Sequence, residues 1–180
     1  TIAQLMKHVP GPDFPTGGLV VGRQGLAEAY ATGRGKLRVR GRVHHETIGK
    51  REAIIIDELP YQVNKSRLVV QIADLVRSKA LEGVFALRDE SDREGMRVVV
   101  ELKTDAFPEV VLNHLFKHTP LQSTFGTIML AIVDGQPRVL TLKEMLKLFI
   151  GHRRTVVLRR TRYDLARAEE RAHILEGFKR

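Results

Sequence analysis

Residues 54–68 read IIIDELPYQVNKSRL, and this stretch decides the fold prediction. Its three consecutive isoleucines are typical of a buried strand, which Pro60 ends. Asn64 is a favourable helix N-cap, and the apolar residues after it recur at helical spacing as far as Val76. The stretch therefore predicts a strand, a turn and a helix from about Asn64 to Lys79 that packs on a sheet.

The segment before this stretch alternates between basic and apolar residues. Residues 36–43 read KLRVRGRV, so a strand here places its cations on one face, about 6.7 Å apart, and its apolar residues on the other. Residues 44–50 are polar and suit a turn. We therefore expect residues 51–59 to return as the antiparallel partner of residues 36–43.

The rest of residues 1–140 predicts further short helices and strands. Helical segments are expected at residues 1–9, at 26–30 and after Pro108, and strands at 17–22, 84–87, 96–102 and within 123–140. Residues 84–116 look like a second unit built like the first. The mixture predicts an α+β fold, with a mixed or antiparallel sheet and packed helices.

Residues 141–180 have a different character. Thr141 and Glu144 form a capping box, and no proline follows them. The pattern predicts one helix roughly 55–60 Å long, which needs a partner and is interpreted as the first arm of a coiled coil. Because the chain begins at Thr1 rather than Met and this helix has no stop signal, we expect a piece of a longer protein.

Composition favours a polyanionic partner. Thirty Lys and Arg against 21 Asp and Glu give a net charge of +9 and an isoelectric point near 10.2, which favours nucleic acid over a membrane surface. No apolar run approaches the roughly 18 residues of a membrane span. The absence of cysteine excludes disulfides and thiolate metal sites and suits a reducing cytoplasm.

Five phrases occur in order along the whole chain. They are PGPDFPT at 10–16, GRGK at 33–36, LPYQVNK at 59–65, LRDESD with GMR at 87–97, and GHRR with RAHILE at 151–176. Together they resemble the A-subunit family of the bacterial type IIA topoisomerases, DNA gyrase and topoisomerase IV. The phrase PYQVNK favours the gyrase branch, and the topoisomerase IV branch is the alternative.

The resemblance implies a fold and an activity for the parent protein. The chain corresponds to the tower domain, residues 1–140, and to the start of the coiled-coil arm, residues 141–180. Family members cleave and reseal double-stranded DNA through a tyrosine that lies upstream of the tower, so Tyr163 is assigned to packing or solvent. ATP and Mg²⁺ are used through the partner B subunit of an A2B2 tetramer. We therefore expect no catalytic residue and no cofactor in this chain, and no cleavage by the chain alone.

The alternating strand is the strongest candidate DNA-binding element. Its cations could follow a phosphate backbone with salt-dependent, sequence-independent affinity. A second candidate is the start of the helix after Asn64, where backbone N–H groups could seat a phosphate, although simple capping is the alternative. The predicted DNA-binding residues are Arg34, Lys36, Arg38, Arg40, Arg42, Lys65 and Arg67. The alternative for the strand is a solvated face neutralised across the hairpin by Glu46, Glu52, Asp57 or Glu58.

Two patterns that resemble metal sites are set aside. His114 and His118 have the spacing of a zinc pair but no evident third ligand. The acidic run from Asp89 to Glu94 lacks EF-hand spacing and is interpreted as a solvated turn paired with local arginines. No metal site is therefore predicted.

Two further interpretations come from other functional classes. A generic α+β RNA-binding module would have aromatic residues among the basic ones, and residues 36–43 contain none. A pure interaction scaffold would use its charge only for solubility. The arginines at 153, 154, 159, 160 and 162 are interpreted as a solvated helix face.

Overall fold

A computed structural model describes residues 1–93 and 95–178. Five helices and nine strands occur in these residues, which confirms the α+β class. The helices are α1 (Ile2–Leu5), α2 (Gln24–Thr32), α3 (Lys65–Arg77), α4 (Pro108–His118) and α5 (Leu142–Gly177). The strands are β1 (Leu19–Val21), β2 (Arg34–Arg40), β3 (Arg42–Ile48), β4 (Arg51–Glu58), β5 (Val84–Asp89), β6 (Val98–Leu102), β7 (Gln122–Ile128), β8 (Leu130–Val133) and β9 (Gln136–Val139).

The larger sheet has the strand order β3-β4-β6-β5, and all its pairs are antiparallel. Ile54 and Ile56 of β4 are fully buried with Leu68 and Ile72 of α3, as the sequence predicts. The strands expected to form a second unit, β5 and β6, instead complete this same sheet. The main core therefore lies between one face of a single four-stranded sheet and helices α3 and α4.

The three-stranded sheet β1-β2-β7, called the smaller sheet below, builds a second core, and β8 and β9 form a separate two-stranded sheet. Leu37 of β2 packs there with Leu26 and Tyr30 of α2 and with Leu142 at the start of α5. Gly33 ends α2 with a φ of +79°, and a Cβ there would lie 2.6 Å from the Leu140 carbonyl oxygen. Glycine is therefore required at position 33 for two reasons: the backbone is left-handed there, and the Leu140 carbonyl oxygen leaves no room for a Cβ.

The predicted hairpin between residues 36–43 and 51–59 is wrong for residues 36–40, and only Arg42 and Val43 pair with β4. Strand β2 ends at Arg40 and pairs with β1 and β7, whereas β4 pairs with β6 and with β3, and β3 occupies most of the predicted turn. Gly41 lies between the two sheets, and its N–H donates to the Leu121 carbonyl oxygen at 2.8 Å. The chain therefore leaves one sheet and enters the other at a single residue.

Helix α5 begins at the predicted capping box. The Thr141 hydroxyl accepts from the Glu144 N–H, and the Glu144 carboxylate accepts from the Thr141 N–H. Its first turns pack Leu142 and Leu146 on the second core, and the rest of its 36 residues are largely exposed. The domain boundary near residue 140 stays a prediction. No described helix is long and apolar enough to cross a membrane.

Candidate nucleic-acid interface

Four cations of β2 share one face of the smaller sheet, and we call Arg34, Lys36, Arg38 and Arg40 the cationic face. Leu37 and Val39 between them are only 2% and 1% exposed, so the backbone must turn the basic side chains the other way. The first three cations are exposed and Arg40 is half-buried. Their cross-strand neighbours on β7 are uncharged: Ile128, Gly126, Thr124 and Gln122.

The cationic face has no acidic residue in its own sheet. Strands β1, β2 and β7 contain neither Asp nor Glu, and among the described residues none of the four cations forms an ion pair. The carboxylates proposed to neutralise the strand, at positions 46, 52, 57 and 58, all lie in the larger sheet. Because β2 does not pair with β4, neutralisation across a hairpin is ruled out for these four residues.

Arg40 is held in place by two uncharged side chains. Its Nε–H donates to Gln122 Oε1 at 2.7 Å, and its guanidinium carbon lies 4.4 Å from the centre of the Phe116 ring. Phe116 belongs to the last turns of α4, and Gln122 is the β7 residue directly opposite Arg40. Sequence reasoning missed the role of both residues, and the only signal was a polar residue, Gln122, directly before the predicted strand region 123–140.

Arg42 lies on β3, apart from the cationic face. Its Nε is 3.5 Å from the Glu58 carboxylate, which also accepts from the Gly18 N–H at 2.6 Å. Arg42 is therefore already paired, and its role in binding DNA stays a prediction.

The start of α3 is capped by Asn64, which is the alternative to a phosphate seat given in the sequence analysis. Asn64 Oδ1 accepts from the Arg67 N–H at 3.0 Å, and Lys65 Nζ lies 2.7 Å from the Asp89 carboxylate. Lys65, with Ser91, lowers the pKa of Asp89 to about 2. The Lys65 charge is thus balanced within the protein, whereas the Arg67 side chain is exposed. DNA binding by either residue stays a prediction.

A second polar cluster, of which the sequence predicts only the pairing of Arg88 with the acidic run, covers the outer face of the larger sheet. Arg97 donates to both oxygens of Glu46, at 2.9 and 2.6 Å, and the His44 ring bonds Glu46 and Asp57 at 2.8 and 2.7 Å. Arg88 joins Glu90 to Glu101, and Arg51 completes the network at Glu101. Beneath it lie Ala53, Ile55 and Val99, all fully buried. This network is internally paired and so offers no free charge to a ligand.

Neither of the two metal-like patterns is joined by further metal-binding side chains among the described residues. His114 and His118 are both exposed, with ring centres 5.7 Å apart, and no described group of three His, Asp or Glu residues could hold a metal ion. In the acidic run, Arg88 pairs with Glu90 as expected. Glu94 lies outside the described residues. Tyr163 is 62% exposed on α5, in agreement with its assignment to packing or solvent.

The fold and its acid-free basic sheet define a class of protein: a basic α+β domain that carries a long projecting helix. The family model for the A subunit of DNA gyrase and topoisomerase IV matches residues 1–180. Similar proteins include the DNA gyrase A subunits of Pseudomonas aeruginosa, 57% identical, of Escherichia coli, 54% identical, and of Campylobacter fetus, 53% identical. Each match covers 98–99% of this chain.

The chain therefore belongs to the A-subunit family of DNA gyrase and topoisomerase IV. It spans about a fifth of the length of these relatives, 20% of the Pseudomonas protein and 21% of the other two.

Proposed function

We propose that this chain is the part of a type IIA topoisomerase subunit that supports bent duplex DNA, and that the cationic face contacts the phosphate backbone. One observation carries the proposal: four cations lie in a row on a sheet that contains no acidic residue. Such a surface supplies affinity that depends on salt and not on base sequence. The scaffold hypothesis offers no reason for this segregation of charge.

Bending is the step to which this surface would contribute. Smooth bending of a 20–30 base-pair site by 40–90° costs about 1–6 kcal/mol, and contacts away from the bend can offset that cost. Exposed cations at two-residue spacing along a strand lie about 6.7 Å apart, close to the spacing of successive phosphates along one DNA strand. The face would thus hold an arm of the duplex without selecting its sequence.

For the parent protein we propose ATP-dependent type II DNA topoisomerase activity of the gyrase kind in the cytoplasm. The names of the relatives and their identity over nearly the whole chain support it. The partners would be double-stranded DNA, a second A subunit, and the B subunit, which together form an A2B2 tetramer on DNA, with ATP and Mg²⁺ bound through the B subunit. Topoisomerase IV is the second candidate, since the family model covers both enzymes.

The DNA surface is tested by comparing two variants that lose equal charge. Lys36→Gln with Arg38→Gln neutralises part of the cationic face, and Lys50→Gln with Lys103→Gln neutralises exposed lysines beside the larger sheet. Binding of a long duplex is measured over a range of salt. We expect the first variant to lose close to two units of the slope of log K against log salt, at about 0.9 per phosphate contact, and the second to keep the slope. Equal losses in both would refute the assignment.

The chain alone is expected to be inactive, and this has a direct test. Supercoiled plasmid incubated with the chain, ATP and Mg²⁺ should remain supercoiled, with no nicked, linear or relaxed product. Any protein-linked break would contradict the proposal.

A further inference from the structure

Arg40 differs from the other residues of the cationic face in being already fixed. Arg34, Lys36 and Arg38 are exposed, whereas Arg40 is half-buried between the Gln122 amide and the Phe116 ring. Long basic side chains lose conformational freedom when a ligand immobilises them, and that loss weakens binding. The free protein has already restricted Arg40, so a ligand has less ordering to impose on it.

The two partners of Arg40 orient it without cancelling its charge. Gln122 uses a neutral carbonyl oxygen to accept from Nε, and Phe116 offers a ring face to the cation. A guanidinium carries five N–H donors, so the four on Nη1 and Nη2 remain, and none has an acceptor among the described residues. That edge of the guanidinium matches the two free oxygens of a phosphodiester.

The elements that carry these partners are themselves fixed. Helix α4 and strand β7 meet at a corner where the buried Thr119 hydroxyl donates to the Leu115 carbonyl oxygen at 2.6 Å and accepts from the Leu121 N–H at 3.2 Å. Arg40 and Gln122 are also paired in the β2–β7 ladder, so their side chains share one face. Both groups that hold the guanidinium thus belong to the rigid part of the fold.

We propose that Arg40 is the preorganised phosphate contact of the cationic face, and that Gln122 and Phe116 are its positioning residues. The ligand is a phosphodiester of duplex DNA, and the inference rests on the proposed function. The exposed cations supply attraction over a distance, and Arg40 supplies a geometrically defined contact.

The test compares arginine-to-lysine changes, which keep the charge and remove the planar guanidinium. We expect Arg40→Lys to weaken duplex binding about five- to tenfold, and Arg38→Lys about twofold or less, because only Arg40 is held for a two-oxygen contact. Neither should alter the salt slope, because both keep the charge. Equal effects of the two changes would overturn the proposal.

A double-mutant cycle tests the positioning residues. Gln122→Met should weaken binding about threefold at unchanged salt slope in the parent chain, and should have no further effect in the Arg40→Lys chain. Phe116→Leu should behave in the same way. An equal loss in both backgrounds would show that these residues act independently of Arg40 and would overturn their assignment.

Gln122→Glu is a second variant that keeps the geometry. It places a carboxylate against Arg40 and should remove about one unit of salt slope; an unchanged slope would contradict the contact. Thermal unfolding midpoints confirm that each variant is folded. If the double variant Lys36→Gln with Arg38→Gln also binds duplex DNA like the parent chain, the proposed function fails. If that double variant loses salt slope but Arg40→Lys weakens binding no more than Arg38→Lys does, only this inference fails.

Discussion

At the scale of single residues, the Glu46–Arg97 pair links distant parts of the larger sheet. Two hydrogen bonds join the side chains at 2.9 and 2.6 Å across 51 residues of sequence. The Arg97 guanidinium, with the His44 ring beside it, lowers the pKa of the Glu46 carboxyl to about 2 from 4.5. Glu46 and Asp57 together raise the pKa of His44.

The lowered pKa of Glu46 predicts an acid-sensitive contribution to stability. Its folded-state pKa lies below the unfolded value, so the contribution is complete above about pH 4.5 and is lost as the pH falls towards 2. We expect Glu46→Gln to lower the free energy of unfolding at pH 7 and to flatten its decline across this window, as measured by urea unfolding. Glu82→Gln, which removes an exposed carboxylate without an ion pair among the described residues, is the control. Parallel pH profiles for Glu46→Gln and the parent would disprove the prediction.

His44 gives the opposite dependence. Its folded-state pKa lies above 6.5, so its contribution is complete below that pH and is lost as the pH rises through the folded value. We expect His44→Gln to reduce the loss of stability that the parent shows above pH 6.5. The check is NMR titration of the ring together with unfolding at pH 6 and pH 8. A ring that titrates at or below 6.5 would contradict it.

At the scale of elements, the sequence predicted individual helices and strands better than their partners. Asn64, Pro108 and the Thr141–Glu144 box mark the starts of α3, α4 and α5 because capping is a local property. The alternation of β2 was also correct, yet it fits any antiparallel neighbour equally well, so it could not identify β7. The basic row was therefore predictable, whereas its lack of acidic partners and the support of Arg40 by Phe116 and Gln122 depend on tertiary contacts.

Gly41 is the residue at which the chain crosses from the smaller sheet to the larger one. A Cβ there would lie 2.6 Å from both the Glu58 carbonyl oxygen and a Leu121 methyl carbon. We expect Gly41→Ala to reduce the free energy of unfolding by about 1–3 kcal/mol, since the strands must move apart. Denaturant unfolding measures this.

Gly151 provides the matched control for that glycine change. It lies within α5, and a Cβ added there would have no neighbour within 4 Å, so Gly151→Ala should stabilise the helix by about 0.5–1 kcal/mol. A loss of stability in Gly151→Ala as large as that in Gly41→Ala would show that crowding at the crossover is not the cause.

At the scale of the whole molecule, charge is divided between the two sheets. Acidic side chains occur on every strand of the larger sheet, and Glu46, Asp57 and Glu101 are engaged in its network, whereas the only charged residues on the strands of the smaller sheet are cations. The net charge of +9 is therefore spread unevenly, and the electrostatic potential is expected to be most positive at the cationic face.

This division predicts stabilisation by DNA that depends on salt. At a hundredfold excess over its dissociation constant, a ligand of the folded state adds about 2.7 kcal/mol, which raises the thermal midpoint of a domain this size by roughly 5–10 °C. We expect duplex DNA to give such a rise at low salt and little at high salt, as followed by circular dichroism. Lys36→Gln with Arg38→Gln should reduce the rise. A rise that persists undiminished at high salt would contradict an electrostatic contact.

Helix α5 has a mechanical consequence for this arrangement. It is anchored at Leu142 and Leu146 in the core beneath the cationic face, and its 36 residues extend about 54 Å. A rigid rod of that length acts as a lever, so a tilt of only about 5° at its anchored end displaces its far end by roughly 5 Å. If the proposed contact with a duplex rotates the smaller sheet slightly, the helix converts that rotation into a displacement close to the pitch of an α-helix.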